Sequence, residues 1–469
     1  MSFFHLRTLA GNGWPALPNP PFSLLWSAYQ QLDRTQWLDA PALERGQLVQ
    51  LRTLLAHCRE HVPYYRRVLR EAGVDVAGLR SPADFRRVPV LTRHGVQRSA
   101  PDLQAAVLPA GTVAGDTITT SGSSGVPVTV GLTNASQLWW FACYLRDLEW
   151  SGLDPRGRLA AVRYFKTTGE AGRQALEGVR VPYWNDVLAQ LAENGPSYGM
   201  DVHQDPRRQL DWLRRVDPDY LLSFPSNLEF LAGLVAESGV RLPKLRAIQA
   251  VSETLTDEAR AGIESAFGVP VRNTYSCAEA GYLASPCPAG HGLHVHAENV
   301  YLEVLDDAGD PVAPGETGRV VLTTLHNFRT PFVRYEVMDR ATVAAGPCPC
   351  GRGLPLLTAV SGKSHPVLQL PDGSWQNSSR LAVRMRKIGG FYQFRIAQLA
   401  PDRYAVRVIP RADWSPDHAG RVVDMVREFC RHAVEVTVET ATHRELSAAG
   451  KAADIVVAPA RPPGPGATG

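Results

Sequence analysis

TTSGSSGVP, residues 119–127, is a run of small hydroxyl-bearing residues and glycines set between two β-like runs. Glycine lets backbone N–H groups close around an anion, and Ser and Thr hydroxyls add donors, which is what a phosphate needs. No Gly-Lys-Ser/Thr follows and no helix opens directly from it, so the segment is not a Walker-type loop. Downstream, RLAAVRYF (158–165), DYLLSF (219–224), LRAIQAVS (245–252) and VPVRNTYS (269–276), together with VPVTVGL (126–132), alternate with helical stretches. NLEFLAGLVAESG (227–239) and TDEARAGIESAFG (256–268) are two of those stretches. The alternation predicts β/α units with parallel pairing.

Upstream, LVQLRTLLAHCREHVPYYRRVL (48–69) carries apolar residues at helical spacing, and Pro63 divides it into two predicted helices. From Asn299 to Val343 the texture changes to short β-runs, VYLEVLD, GRVVLTTL, FVRYEV and RATVAA, joined by the turn signals DDAGD and PGETG. These predict an antiparallel sheet that closes one side of a site. Beyond a turn-rich stretch at 351–364 come HPVLQL, YQFRIAQL, YAVRVIP and VEVTVET with one amphipathic helix, GRVVDMVREFCRHA. The fold class expected is α/β: a large N-terminal domain of mixed parallel and antiparallel sheets with helices, plus a small mobile α+β C-terminal domain. The expected boundaries are 1–360 for the large domain (1–115 mainly helical), 361–365 for a hinge, 366–458 for the small domain and 459–469 for a flexible tail.

The chain has 469 residues, 44% of them hydrophobic and 20% charged, which excludes a disordered or collagen-like chain. Lys plus Arg number 49 against 46 acidic residues, a net charge of +3 with no long basic run, so no nucleic-acid surface is expected. No apolar stretch has signal-peptide or membrane-spanning length, and a cytoplasmic protein is expected. Seven cysteines are too few and too odd in number for a disulfide framework. Cys287 and His294, followed 61 residues later by Cys348 and Cys350, lie in Gly/Pro-rich segments and offer the four soft ligands of a tetrahedral zinc site. His291 and His296 are alternatives that spacing alone does not separate from His294.

TSGSSGVPV resembles the phosphate loop of the adenylate-forming superfamily. Val251-Ser252-Glu253-Thr254 resembles that superfamily's adenine-contacting strand end, Tyr275-Ser276-Cys277-Ala278-Glu279 its aromatic-to-glutamate motif, and Arg334-Tyr335-Glu336-Val337-Met338-Asp339 its ribose-binding motif. HVPYYRRVLREAG, PVLTR, FPSNLEFLA and CPCGRGLP are similar to the phenylacetate–CoA ligase branch, and the resemblance runs from about residue 60 to 455. Two positions depart from the pattern: Val126 stands where a Lys is common, and Gly362-Lys363 where Gly-Arg is usual.

The resemblance implies ATP-dependent activation of an aryl or acyl carboxylic acid as acyl-AMP, followed by transfer to CoA. A carrier-protein thiol or an amine is the alternative acceptor. It implies nucleotide contacts from Thr120, Ser121, Gly122, Ser123, Ser124, Gly125, Ser252, Glu253, Thr254, Tyr275 and Asp339. Glu279 is the expected Mg2+ ligand, because a hard cation prefers carboxylate oxygen. Asp339 accepts from the ribose hydroxyls, and Phe224 and Tyr275 face the acid. Lys451, in ELSAAGKAAD (445–454), bridges carboxylate and phosphate during adenylation, a task suited to a compact cation on a long stem. Relatives in this branch carry a structural metal at positions similar to the Cys/His cluster. The hinge would lie near Lys363, Ser364 and His365. The sequence leaves the acid, the acceptor and the oligomeric state open.

Overall fold

The structure is a computed structural model that describes residues 3–119, 128–165, 174, 177–362, 366–447 and 450–457. The glycine loop from Thr120 to Gly125, the hinge residues Lys363, Ser364 and His365, and the tail 459–469 lie outside the described residues. The helical N-terminal region forms as its pattern predicts. Asp39 caps the helix Ala40–His61 by accepting from Ala42 N at 2.8 Å. Leu48, Leu51, Leu54 and Leu55 bury one stripe of it. Val62 is extended, as a residue before proline must be, and Pro63 opens the next helix, Pro63–Glu71.

Residues 159–273 build a six-stranded sheet. Its order is Val179–Val181, Ser197–Asp201, Leu159–Arg163, Tyr220–Ser223, Ala247–Ala250, Val271–Asn273. Only the edge strand Val179–Val181 is antiparallel. In chain order the five parallel strands run 2-1-3-4-5, a doubly wound arrangement whose order reverses between Leu159–Arg163 and Tyr220–Ser223. The sequence pattern missed Ser197–Asp201, a short strand of mixed polarity. It also misplaced VPVTVGL: Thr129–Thr133 pairs antiparallel with Ala114–Thr119 and does not join the parallel sheet.

The antiparallel sheet is larger than expected, with seven strands between Tyr275 and Ser361. FVRYEV and RATVAA contribute to one strand, Tyr335–Val343, whose register shift against Thr317–Thr324 coincides with Met338 at a left-handed φ of 69°. Residues from Leu368 to Ile455 pack into a hydrophobic core of their own, with strands Glu435–Thr440, Arg403–Pro410, Phe391–Ala400 and Ile455–Val457 in one sheet. Two helices cover it, the expected Pro416–Cys430 and an unforeseen Ser379–Ile388. Among the described residues no helix is long and apolar enough to cross a membrane.

Arg334 joins the N-terminal helical region to the antiparallel sheet. Buried at 4% exposure, its guanidinium donates twice to Glu303, from Nε at 2.9 Å and from NH2 at 3.0 Å. Its third nitrogen donates to the carbonyls of Arg86 and Val88 at 2.6 and 2.7 Å. The strand is locked at the same place, since Leu91 N donates to Arg334 O and Glu336 N to Leu91 O. Glu303→Leu, which strands the buried guanidinium, is expected to cost about 3–5 kcal/mol in chemical denaturation. The double variant Glu303→Leu/Arg334→Met should recover most of that loss. A single variant as stable as the parent would remove the pair from its structural role.

Candidate active site and metal centre

Parallel pairing brings the carboxyl ends of five strands to one edge, where α/β sheets of this order bind ligands. Arg163, Asp201, Ser223, Ala250 and Asn273 end those strands. The motif segments begin one or two residues later. Val251-Ser252-Glu253-Thr254 leaves Ala247–Ala250, and Ser252 takes a left-handed φ of 68°, costly for a residue with a Cβ and common at functional turns. Thr254 Oγ1 accepts from Gly362 N at 2.7 Å, tying this strand end to the segment 361–365 where the hinge is expected.

Tyr275 and Glu279 bracket the turn between strands Tyr275–Cys277 and Gly281–Pro286. Gly281 has φ 69° and leaves no room for a Cβ, since the Trp140 ring lies 2.5 Å from where it would stand. Tyr275 is not a bare apolar wall. Its hydroxyl donates to Asp339 Oδ2 at 2.8 Å, so the segments YSCAE and RYEVMD touch across 64 residues of chain. Burial, with the Asp339 charge next, pushes the Tyr275 phenol well above its ordinary value and keeps it a donor. Glu279 is buried at 7% exposure, with the Tyr335 hydroxyl 3.4 Å and Arg93 3.9 Å from its Oε1. Arg93, in PVLTR, is a cation at the site to which sequence reasoning gave no role; its Thr92-capped helix, Arg93–Ser99, places it there.

Lys451 sits in a tight hairpin. Ser447 N donates to Lys451 O, Gly450 N to Ser447 O and Lys451 N to Ser447 Oγ, at 2.9, 2.8 and 3.1 Å. Gly450 holds φ at 75°, and a Cβ on it would stand 2.3 Å from Val202 Cγ1, with Phe224 and Tyr164 next. Phe224 therefore lies beneath the hairpin, buried in the core of the parallel sheet. The hairpin rests where the strand order reverses. Glu253 meets it from the next strand end: Oε1 accepts from Ala452 N at 3.1 Å, while Oε2 accepts from Ser226 N at 3.0 Å. Burial raises the Glu253 carboxyl above its ordinary value, opposed by those N–H donors and by Lys451.

Further contacts join the small core to the helix Pro225–Ser238. Arg386 donates to Glu229 at 2.7 Å and to Asp454 at 2.6 Å. Tyr392 stacks on Phe230 with centroids 4.5 Å apart, and Gly233 leaves room for that ring.

At the end of strand Gly281–Pro286 away from Glu279, Cys287, His294, Cys348 and Cys350 converge, their four ligand atoms all within 4.8 Å of one another. Cys287 Sγ and Cys348 Sγ are 3.7 Å apart, and His294 Nε2 and Cys350 Sγ are 3.3 Å apart. A tetrahedral ion with sulfur at ~2.3 Å sets its ligands about 3.8 Å apart, so the cluster has the right size. The other ring nitrogen of His294 bonds Leu354 O at 3.1 Å, which orients the ring, and burial pulls its pKa down to about 4, leaving a neutral imidazole. His296 is engaged elsewhere, with Nε2 2.8 Å from Ser285 Oγ, and His291 is exposed.

No protein-family model matches the chain. It is 29% identical over 329 residues to a phenylacetate-coenzyme A ligase of Thermus thermophilus, a match covering 68% of this chain and 69% of the relative. It is 25% identical over 348 residues to the Escherichia coli enzyme of the same name, covering 72% and 75%. Among solved structures, a 2-hydroxyisobutyryl-CoA ligase in the postadenylation state has a TM-score of 0.71 at 20% identity over 91% of this chain and 92% of that one. The same ligase in an open conformation with CoA has a TM-score of 0.59 at 21% identity over 90% and 93%. In sequence the chain is similar to phenylacetate-coenzyme A ligases, and its fold is like that of the 2-hydroxyisobutyryl-CoA ligase.

Proposed function

We propose that this protein is an ATP-dependent, AMP-forming acid–CoA ligase acting on an aryl or acyl carboxylic acid. The observations that carry the reading are three groups beside the carboxyl ends of the parallel strands, on the antiparallel sheet that follows Asn273 and on the hairpin over Val202 and Phe224. These are the buried Glu279, the bonded pair Tyr275–Asp339, and the Lys451 hairpin seated at the reversal of strand order. The relatives with this branch's sequence are named for phenylacetate and coenzyme A, and the aromatic side chains near the site, Trp140 against Gly281 and Trp139 stacked on His326, suit an aryl acid.

In the first half-reaction a carboxylate oxygen of the acid attacks the α-phosphorus of ATP and pyrophosphate leaves, giving acyl-AMP. Catalysis here is positioning and charge neutralisation. Lys451 reaches from the rim of the crevice to hold the acid carboxylate and the α-phosphate together. Asp339, fixed by the Tyr275 hydroxyl, accepts from the ribose, and Ser252, Glu253 and Thr254 line the nucleotide side. Thr120, Ser121, Gly122, Ser123, Ser124 and Gly125 donate to the phosphates. Glu279 is the carboxylate that fits a magnesium ion, which when bound neutralises phosphate charge. In the second half-reaction the CoA thiolate attacks the acyl carbon and AMP leaves as the small domain turns about residues 361–365. The Cys287, His294, Cys348 and Cys350 set fits a structural zinc closed by four protein ligands, and unpaired thiols are at home in a reducing cytoplasm.

Pyrophosphate exchange into ATP should respond to at least one acid in a panel of phenylacetate, benzoate, hexanoate and 2-hydroxyisobutyrate. CoA, a carrier thiol and an amine are then compared as acceptors, and CoA is expected to win. Glu279→Gln should lower exchange by about 10²-fold with the thermal midpoint unchanged, since a charge but no volume is lost; wild-type exchange would move the magnesium elsewhere. Lys451→Ala should abolish exchange yet still convert a prepared acyl adenylate and CoA to thioester, and full exchange would defeat its assigned role. The purified protein should hold one zinc per chain. Cys348→Ser and Cys350→Ser should lose it and melt earlier, and a protein without zinc, or with zinc retained by both variants, returns the cluster to four free side chains.

A further inference from the structure

His203 follows the buried strand Ser197–Asp201, outside every motif quoted above. Its Nδ1 lies 2.8 Å from Asp201 Oδ1, and Asp201 is itself fully buried and fixed by two backbone donors, Phe165 N and His203 N, both at 2.9 Å. The opposite ring nitrogen, Nε2, lies 3.1 Å from the carbonyl of Ser447, the first residue of the Lys451 hairpin. The Tyr164 ring meets the imidazole edge-on with centroids 5.9 Å apart, and that same Tyr164 lies against Gly450. Both partners of the ring, the Asp201 carboxylate and the Ser447 carbonyl, are hydrogen-bond acceptors.

We propose that His203, oriented by Asp201, is a positioning residue that seats the Lys451 hairpin at the strand-order reversal for adenylate formation. The hairpin is gripped on two flanks by different strand ends. His203 takes the Ser447 carbonyl, Glu253 takes the Ala452 N–H, and Lys451 stands between them. Polar bonds at a partly exposed rim are individually weak and fully replaceable by water, which is what a domain that docks for one half-reaction and leaves for the next requires. The apolar contact beneath, Gly450 on Val202 and Phe224, has no directionality along the crevice; the His203 bond fixes where along it the lysine stands.

This inference rests on the adenylation reading, and the test separates the two. In the full-length protein without substrates, hydrogen exchange of the amides in residues 446–457 is compared for wild type, His203→Ala and His203→Gln, the last keeping one donor at the reach of Nε2. Exchange should accelerate in His203→Ala and stay nearer wild type in His203→Gln. With the acid that gives the fastest wild-type pyrophosphate exchange, His203→Ala should lose about ten-fold in kcat while KM for ATP stays within about two-fold, because one hydrogen bond that seats the hairpin is lost and the nucleotide contacts remain. His203→Gln should recover part of the loss, and thioester formation from the prepared acyl adenylate should be unchanged. Unaltered protection of 446–457, unaltered pyrophosphate exchange, or an equal fall in both half-reactions overturns the proposal. If wild type exchanges pyrophosphate with none of the acids, the adenylation reading falls, and with it the proposed role in adenylation; the amide protection still reports whether His203 holds the hairpin.

Discussion

Five strands paired in parallel have no choice but to deliver their carboxyl ends to one edge, and the loops of the candidate site start from that constraint. The strand ends at Arg163, Asp201, Ser223, Ala250 and Asn273 are separated by helices that return the chain to the opposite edge, so each return supplies one more loop to the same rim. Where the winding reverses, two neighbouring loops run off in opposite directions and leave a crevice. A hairpin from the other end of the chain fills it here. The antiparallel sheet contributes the second wall through the turn that holds Glu279, and Arg334, locked to Glu303, keeps that wall registered with the helices outside it.

The meeting of the two hydrophobic cores has a composition different from either. Each core is built largely from Leu, Val, Ile and Phe, whereas the join adds to a few apolar contacts, Ile409 and Leu446 on the parallel-sheet core among them, Arg386 between Glu229 and Asp454, Glu253 between Ser226 and Ala452, and one aromatic stack. Apolar burial alone would have held the join without asking for a particular geometry. Ion pairs and N–H to carboxylate bonds lose little when water replaces them. Charged and polar partners are thus gathered where the two cores meet.

What was legible in the sequence is what is local. YSCAE, RYEVMD and GKAAD are each a few consecutive residues that the family resemblance singles out, and the two Cys-bearing segments, which the structure brings together, show soft ligands in loops rich in Gly and Pro. Helices with caps and apolar stripes, such as Ala40–His61, were equally plain. Strand membership was harder. VPVTVGL has the β-branched texture of its neighbours, yet its partner is the polar strand Ala114–Thr119, and nothing in an apolar pattern announces a polar partner. Ser197–Asp201 mixes Ser, Tyr, Gly, Met and Asp and shows neither alternation nor a continuous apolar run. Pairings over long separations were invisible for the same reason: the Tyr275 to Asp339 bond, the Glu253 fork and the approach of His203 to Ser447 are properties of the folded edge.

Gly450 shows how fine the fit at the crevice is. Its backbone occupies the left-handed region and its missing side chain leaves a gap narrower than one methyl group against Val202. Depth of insertion is therefore limited by backbone meeting side chain, with no flexible arm on the hairpin to take up an error, and the distance from the crevice floor to the Lys451 Cα is set by covalent geometry alone. The reach of the lysine then depends only on its own four methylenes. A cation placed this way works like a probe on a fixed stop: the stop sets the depth, and the length of the side chain sets how far the charge extends beyond it.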